Sequence, residues 1–309
     1  PLREETEIVP GRPIGMQQEG TVLRLFSGSF SVGIDTLTGA LCSLRADGKE
    51  RIQGALRPNF WRPSTDNDLG SDLARRCSPW RHAGSEARLE SFDRQALDAS
   101  TYRIVSRYRL PKEVASSVFI VTYTVSGAGF LEVGAEFIPA HDTLPFLPRL
   151  GFSLTLPKEY DRMEWFGRGP HENYCDRYTS AFVGLYRGTV WEQYFPYDRP
   201  QETGNMTEVR WMSLTNPEGV GLQARGEPYL SSSAYLFPTE DLSEPDVKKH
   251  QRHLCDIQPK DRVTWNIDLK QMGLGGDTSW GAYPHESYLI PARRMSFAFR
   301  LYPVAPALA

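Results

Sequence analysis

His171 and Glu172 stand side by side and offer an imidazole and a carboxylate, a combination many enzymes use to move protons. Neighbouring residues of an extended chain point to opposite faces, so adjacency alone builds no dyad. Their segment, GRGPHENYCDR (residues 167–177), reads better as a polar network in which Glu172, Asn173, Asp176 and Arg177 tie loops together. Glu202 and Asn205, in RPQETGN (199–205), take the same reading. His250, His253 and Cys255 have a spacing that suits a metal on a helix face, but a fourth ligand is not evident. Lys248, Lys249 and Arg252 beside them make a solvated basic face the ordinary explanation.

Two more segments are dense in polar and aromatic residues within Gly/Pro-rich sequence, where binding functions concentrate. In FWRPSTDNDLG (60–70), Asp66, Asn67 and Asp68 are residues that satisfy backbone N–H groups in turns, and Arg62 suits a scaffold salt bridge. In MGLGGDTSWG (272–281), Gly273, Gly275 and Gly276 open backbone conformations closed to other residues ahead of Trp280. That tryptophan reads either as a core residue or as a flat apolar platform.

The elements that must position these segments are strands. Period-two alternation puts Leu131, Val133, Ala135 and Phe137 on one face, and likewise Val263, Trp265, Ile267 and Leu269. Met295, Phe297, Phe299 and Leu301 repeat the pattern, as do Phe30, Val32 and Ile34. Residues 126–129 (Ser-Gly-Ala-Gly) and Thr38-Gly39 predict hairpin turns. Helix is scarce; Thr239 is a candidate N-cap for a short piece limited by Pro245. Many short strands between Gly/Pro turns predict an all-β sandwich, in a chain of 309 residues long enough for a large core.

A net charge of -3 with mixed signs gives no nucleic-acid footprint and no polybasic membrane surface. No apolar run approaches the roughly 20 residues of a spanning helix. Cys42, Cys77, Cys175 and Cys255 are scattered without a CxxC pair and read as free, mostly buried thiols. The opening stretch from Pro1, polar and rich in Pro and Gly, suggests a linker and hence a piece of a longer protein.

Together, in this order, the four segments resemble the C-terminal domain of β-galactosidases of glycoside hydrolase family 2, from about residue 20 to Tyr302. Cys175 stands where that family often has Pro, and Thr278 where it often has Asp. The resemblance implies a large antiparallel supersandwich, similar to galactose mutarotase, over residues 19–305. Residues 1–18 would be linker or the end of an immunoglobulin-like domain. It implies that the partners are the enzyme's remaining domains or large subunit in a parent that is a homo-oligomer, and that the substrate is a galactoside.

Retaining glycosidases place two carboxyl groups about 5–5.5 Å apart. The resemblance assigns both to a barrel domain, so no catalytic residue is nominated here. Trp280 would project into the active-site mouth, while Asp66, Asn67, Asp68 and Gly70 would lie in a loop at its entrance, Gly70 as a hinge. The magnesium and sodium of such enzymes have ligands mainly in other domains, so no cofactor is assigned here. Two other functions fit the same residues: a mutarotase-like epimerase using His171 or His141, or a carbohydrate-binding module relying on Trp280.

Overall fold

A computed structural model describes residues 11–243, 252–278 and 281–306. Five strands, β1 (Gly15–Glu19), β2 (Val22–Ser27), β3 (Phe30–Asp35), β4 (Leu41–Ala46) and β5 (Lys49–Glu50), pair in that order as an antiparallel meander. The first of them starts inside the stretch read as linker, with Gly15 paired to Phe26. Phe30, Val32 and Ile34 are buried as their alternation requires. The turn at Gly39, with φ of +69°, closes the expected β3–β4 hairpin.

The second sheet has 12 strands. Its first half comprises β6 (Arg57–Asn59), β7 (Arg88–Asp98), β8 (Thr101–Arg109), β9 (Val118–Ser126), β10 (Phe130–Ile138) and β11 (Arg149–Leu156). Its second half comprises β12 (Arg162–Gly169), β13 (Phe182–Thr189), β14 (Met206–Thr215), β15 (Gly221–Tyr235), β16 (Val263–Gln271) and β17 (Met295–Val304). The β9–β10 hairpin turns where residues 126–129 predicted it, through Gly129 at a φ of +90°.

Strand β15 is where the sheet divides. Residues 221–227 pair with β17, whereas residues 231–235 pair with β16. Pro228, which has no N–H to give to a ladder, lies between the two stretches. One branch continues through β17, β10, β9, β8 and β7; the other through β16 to β11 and β6. A core of Phe60, Trp80, Phe119, Phe137, Phe152 and Phe299 fills the space between them, with Phe60 edge-on to Phe119 at 5.3 Å.

Where β11, β16 and residues 230–235 of β15 lie side by side, little of either face is exposed. Phe152, Leu154, Trp265 and Ile267 line the aromatic core. On the opposite face Ser231 and Ser233 stand beside Asp268 and Asn266, with Gly151 and Ser153 across the next pairing. Asn266, Asp268 and Ser233 are sealed from solvent. Alternation alone reads such polar positions as a wet surface; here loops cover them.

Among the described residues helix is confined to short pieces such as α1 (Asp66–Gly70), α2 (Leu73–Arg76) and α3 (Val190–Gln193). Among the described residues no helix is long and apolar enough to cross a membrane. Thr239 is not an N-cap: it is the first residue of a 3-10 turn, Thr239–Leu242, that Pro238 precedes without a side-chain cap.

Candidate functional site

The four polar segments, scattered through the sequence, meet in one loop cluster. The first is shaped by a capping box at α1. The Thr65 hydroxyl accepts the Asp68 N–H at 3.1 Å, and the Asp68 carboxylate accepts the Thr65 N–H at 3.0 Å. Arg62 grips the same carboxylate through Nε at 3.2 Å and Nη2 at 2.9 Å. Its fork also donates to the carbonyls of Met272 (2.6 Å) and Gly273 (2.8 Å), which fastens the first segment to the fourth.

Of the two readings the sequence left open for Asp68, these contacts favour the one in which it satisfies backbone N–H groups. Its side chain is only 2% exposed and both oxygens are taken by scaffold donors. Arg62 makes the salt bridge its sequence context suggested. Asp66 differs: its side chain is 71% exposed, and one oxygen faces Arg199 at 2.8 Å. The other accepts from Gln201 at 3.1 Å, and Gln201 accepts the Asp66 N–H in return. Asn67 lies against Gly275, where an added Cβ would come within 2.5 Å of its amide nitrogen. Gly70 ends α1 with its carbonyl turned to Gly281.

The second segment locks onto the third and fourth. Asp176 accepts the N–H groups of Leu274 (2.6 Å) and Gly275 (3.1 Å). Glu172 accepts from Arg177, Tyr197, the Thr203 hydroxyl and the Gly204 N–H. The Asn173 N–H donates to the Asn205 carbonyl at 2.7 Å, and the Asn205 amide returns a bond to Asn173 at 2.8 Å. The network read from the sequence is thus present, although residues 170–177, which carry it, are loop and not strand. His171 stands apart from it, bonded to Ser180 at 3.0 Å, and His141 bonds only to nearby Thr143. Neither histidine is paired with a carboxylate.

Gly273, Gly275 and Gly276 are not among the glycines with positive φ. Their role is close approach: a Cβ at Gly273 would meet the Asp176 carboxylate at 2.7 Å, and one at Gly276 would strike the Tyr283 carbonyl. Gly281 is the residue that needs positive φ, at +100°, with a Cβ there 2.5 Å from the Gly70 carbonyl. The Tyr283 hydroxyl then donates to the Ser71 carbonyl at 2.8 Å. Trp280 lies outside the described residues, as does His250 of the histidine–cysteine set. Among the described residues no group of three or more His, Cys, Asp or Glu could hold a metal. All four cysteines are free thiols, with Cys77 buried, Cys42 and Cys175 half-buried and Cys255 exposed.

Beneath the loops lies a charged layer that sequence reading missed. Arg149, from the start of β11, donates to both Glu202 oxygens at 3.1 Å, and all three groups including Asp268 are fully buried. Gln271 and Tyr235 complete the shell of Glu202 at 2.9 and 3.3 Å. Asp268 sits 3.4 Å from the Arg149 Nε, and neither of its oxygens receives a hydrogen bond. The cations Arg62 and Arg149 are matched by Asp68 and Glu202, leaving Asp268 as the surplus acid. Burial, opposed by Arg149 and aided by Glu202, raises its pKa to about 8.

The sign follows from proton binding. The folded chain keeps the Asp268 proton between about pH 4 and 8 while the unfolded chain releases it, so this group lowers stability as pH rises through that window. Asp268→Asn is expected to flatten that decline. The melting temperature of the variant should gain on the parent chain steadily from pH 5 to pH 8. Parallel curves would remove the assignment.

The antiparallel architecture matches a galactose 1-epimerase from Lactobacillus acidophilus NCFM, with a TM-score of 0.53 at 9% identity, over 95% of this chain and 98% of that one. An aldose epimerase homologue from C. elegans gives a TM-score of 0.50 at 8% identity, over 95% of this chain and 99% of that one. At these identities the likeness defines the fold class, a galactose mutarotase-like all-β sandwich.

Sequence defines the family. Residues 27–301 match the family described as β-galactosidase small chain, and the chain belongs to it. The β-galactosidase of Priestia megaterium (strain DSM 319 / IMG 1521) is 34% identical over 279 residues, which cover 90% of this chain and 26% of that protein. That of Lactobacillus delbrueckii subsp. bulgaricus is 33% identical over 275 residues, 88% of this chain and 26% of that protein. The chain therefore spans about a quarter of the length of these relatives.

Proposed function

We propose that this chain is the C-terminal domain, or separately encoded small subunit, of a β-galactosidase of glycoside hydrolase family 2. In it the chain forms one wall of the site that hydrolyses terminal β-D-galactosides with retention. The observation that carries the reading is the convergence of the four segments, which fixes α1 against the loop that runs to Trp280. A wall of this kind positions a substrate and supplies no acid or base. Glu172 and Glu202, the glutamates of these segments, are saturated by scaffold donors. The two catalytic carboxyl groups belong to the remainder of the parent enzyme, the partner this chain requires. The isolated chain is accordingly inactive.

In this reading Trp280 offers its indole face to the C–H face of the galactosyl ring. Asp66, Asn67 and Gly70 border the entrance. Trp280→Ala in the complete enzyme is expected to lower kcat/KM for an aryl β-galactoside about 10- to 100-fold, the loss of roughly 1.4–2.8 kcal/mol of transition-state binding. Steady-state kinetics checks this. An unchanged kcat/KM, or turnover by rigorously pure isolated chain, overturns the proposal.

A further inference from the structure

A second hollow meets the loop cluster only at Phe60 and Trp61, the start of the first segment, and has none of Asp66, Asn67 or Gly70 in its lining. It measures about 690 Å³ and is floored by β6, β11 and β16, with the 3-10 turn Thr239–Leu242 at its side. That volume suits a ligand of monosaccharide to disaccharide size. Its floor continues the polar sheet face: Ser153 and Thr155 alternate along β11, Thr264 stands opposite Thr155, and Arg57 stands opposite Ser153. The hydroxyls of Ser153, Thr155 and Thr264 make no hydrogen bond to the described residues, nor does the Arg57 guanidinium have a carboxylate partner among them. Arg81 and Arg262 add positive charge to the lining, against a single carboxylate there, Glu240. Arg252 also reaches the hollow but is held by Asp241 at 2.8 Å.

We propose that this hollow binds a monosaccharide bearing an anionic group. The unpaired hydroxyls would meet sugar hydroxyls, and Arg57 with Arg262 would take the carboxylate or phosphate. A hydroxyl both donates and accepts, which suits a sugar hydroxyl of either polarity. An arginine fork favours planar or tetrahedral oxyanions over neutral groups. The site is separate from the galactoside wall proposed above, so it stands whether or not that reading holds.

Calorimetric titration of the full chain with D-galacturonate, D-galactose 6-phosphate, D-galactose and inorganic phosphate tests it. At least one anionic sugar is expected to saturate at one per chain, at least tenfold more tightly than galactose or inorganic phosphate. Binding only of galacturonate identifies the carboxylate as the group recognised, and binding only of the phosphorylated sugar identifies the phosphate. Arg57→Gln, at an exposed position, should weaken the interaction at least tenfold, and Thr264→Val should weaken it through the sugar alone. The proposal fails if neither anionic sugar saturates or galactose binds as well. It fails equally if inorganic phosphate binds as tightly, marking an adventitious ion only, or if Arg57→Gln leaves the affinity unchanged.

Discussion

Arg149→Met is expected to cost about 3–5 kcal/mol of folding free energy, the scale on which removing one partner of a buried ion pair acts. The reason lies in what remains. Glu202 would keep Gln271 and Tyr235 as donors but lose the only cation among the described residues that touches it. A carboxylate so buried must either stay charged without compensation or take up a proton, and both cost free energy relative to water. Asp268, an acid whose pKa burial raises, offers Glu202 no relief. Denaturant unfolding measures the loss as a lower midpoint at unchanged slope. The double variant Arg149→Met/Glu202→Gln should recover part of it, since no bare charge is then left. A single-variant loss under about 1 kcal/mol, or a double variant no better than the single, would sink this account.

That layer also shows where sequence reading reaches its limit. Alternation places Val263, Trp265 and Ile267 on a core face correctly, because apolar residues have one favourable destination. It says nothing about whether Thr264, Asn266 and Asp268 meet water or other protein, since covering loops arrive from distant segments. Proline and glycine punctuation marked the hairpin at residues 126–129, where the turn is local. The role of Gly281 was not legible in the same way: the backbone it packs against is that of Gly70, more than 200 residues earlier.

The site itself divides along the same line. Glu172, Asn173, Asp176 and Arg177 were legible as a network because so dense a polar run in a Pro/Gly-rich loop needs mutual satisfaction. Asp68 was not separable from Asp66. Thr65-x-x-Asp68 is a capping box with aspartate in the place more often held by glutamate or glutamine, and that local pattern could have shown which acid turns inward. The partners in the buried layer, Arg149 and Asp268, lie on separate strands and carried only a weak signal: Asp268 falls in the polar phase of an alternating strand, where a solvent-facing acid looks the same.

Arg62→Lys is expected to reduce kcat/KM of the complete enzyme about 100-fold, the size of effect that a displacement near 1 Å produces in a positioned site. The charge is kept, so the result isolates geometry. The guanidinium reaches the Asp68 carboxylate and two carbonyls of the fourth segment at once, in a plane that a single ammonium cannot copy. Lysine would hold Asp68 or the Met272 and Gly273 carbonyls, but not the full set. The helix α1 and the loop that runs to Trp280 would then be free to shift relative to each other. Asp72→Asn supplies the contrast, because its ion pair with Arg75 is exposed on both sides and such pairs contribute little; its effect on kcat/KM should stay within about threefold. Equal small losses for both variants would show that the Arg62 fork does not set the position of the wall, and the functional reading of the loop cluster would lose its mechanical basis.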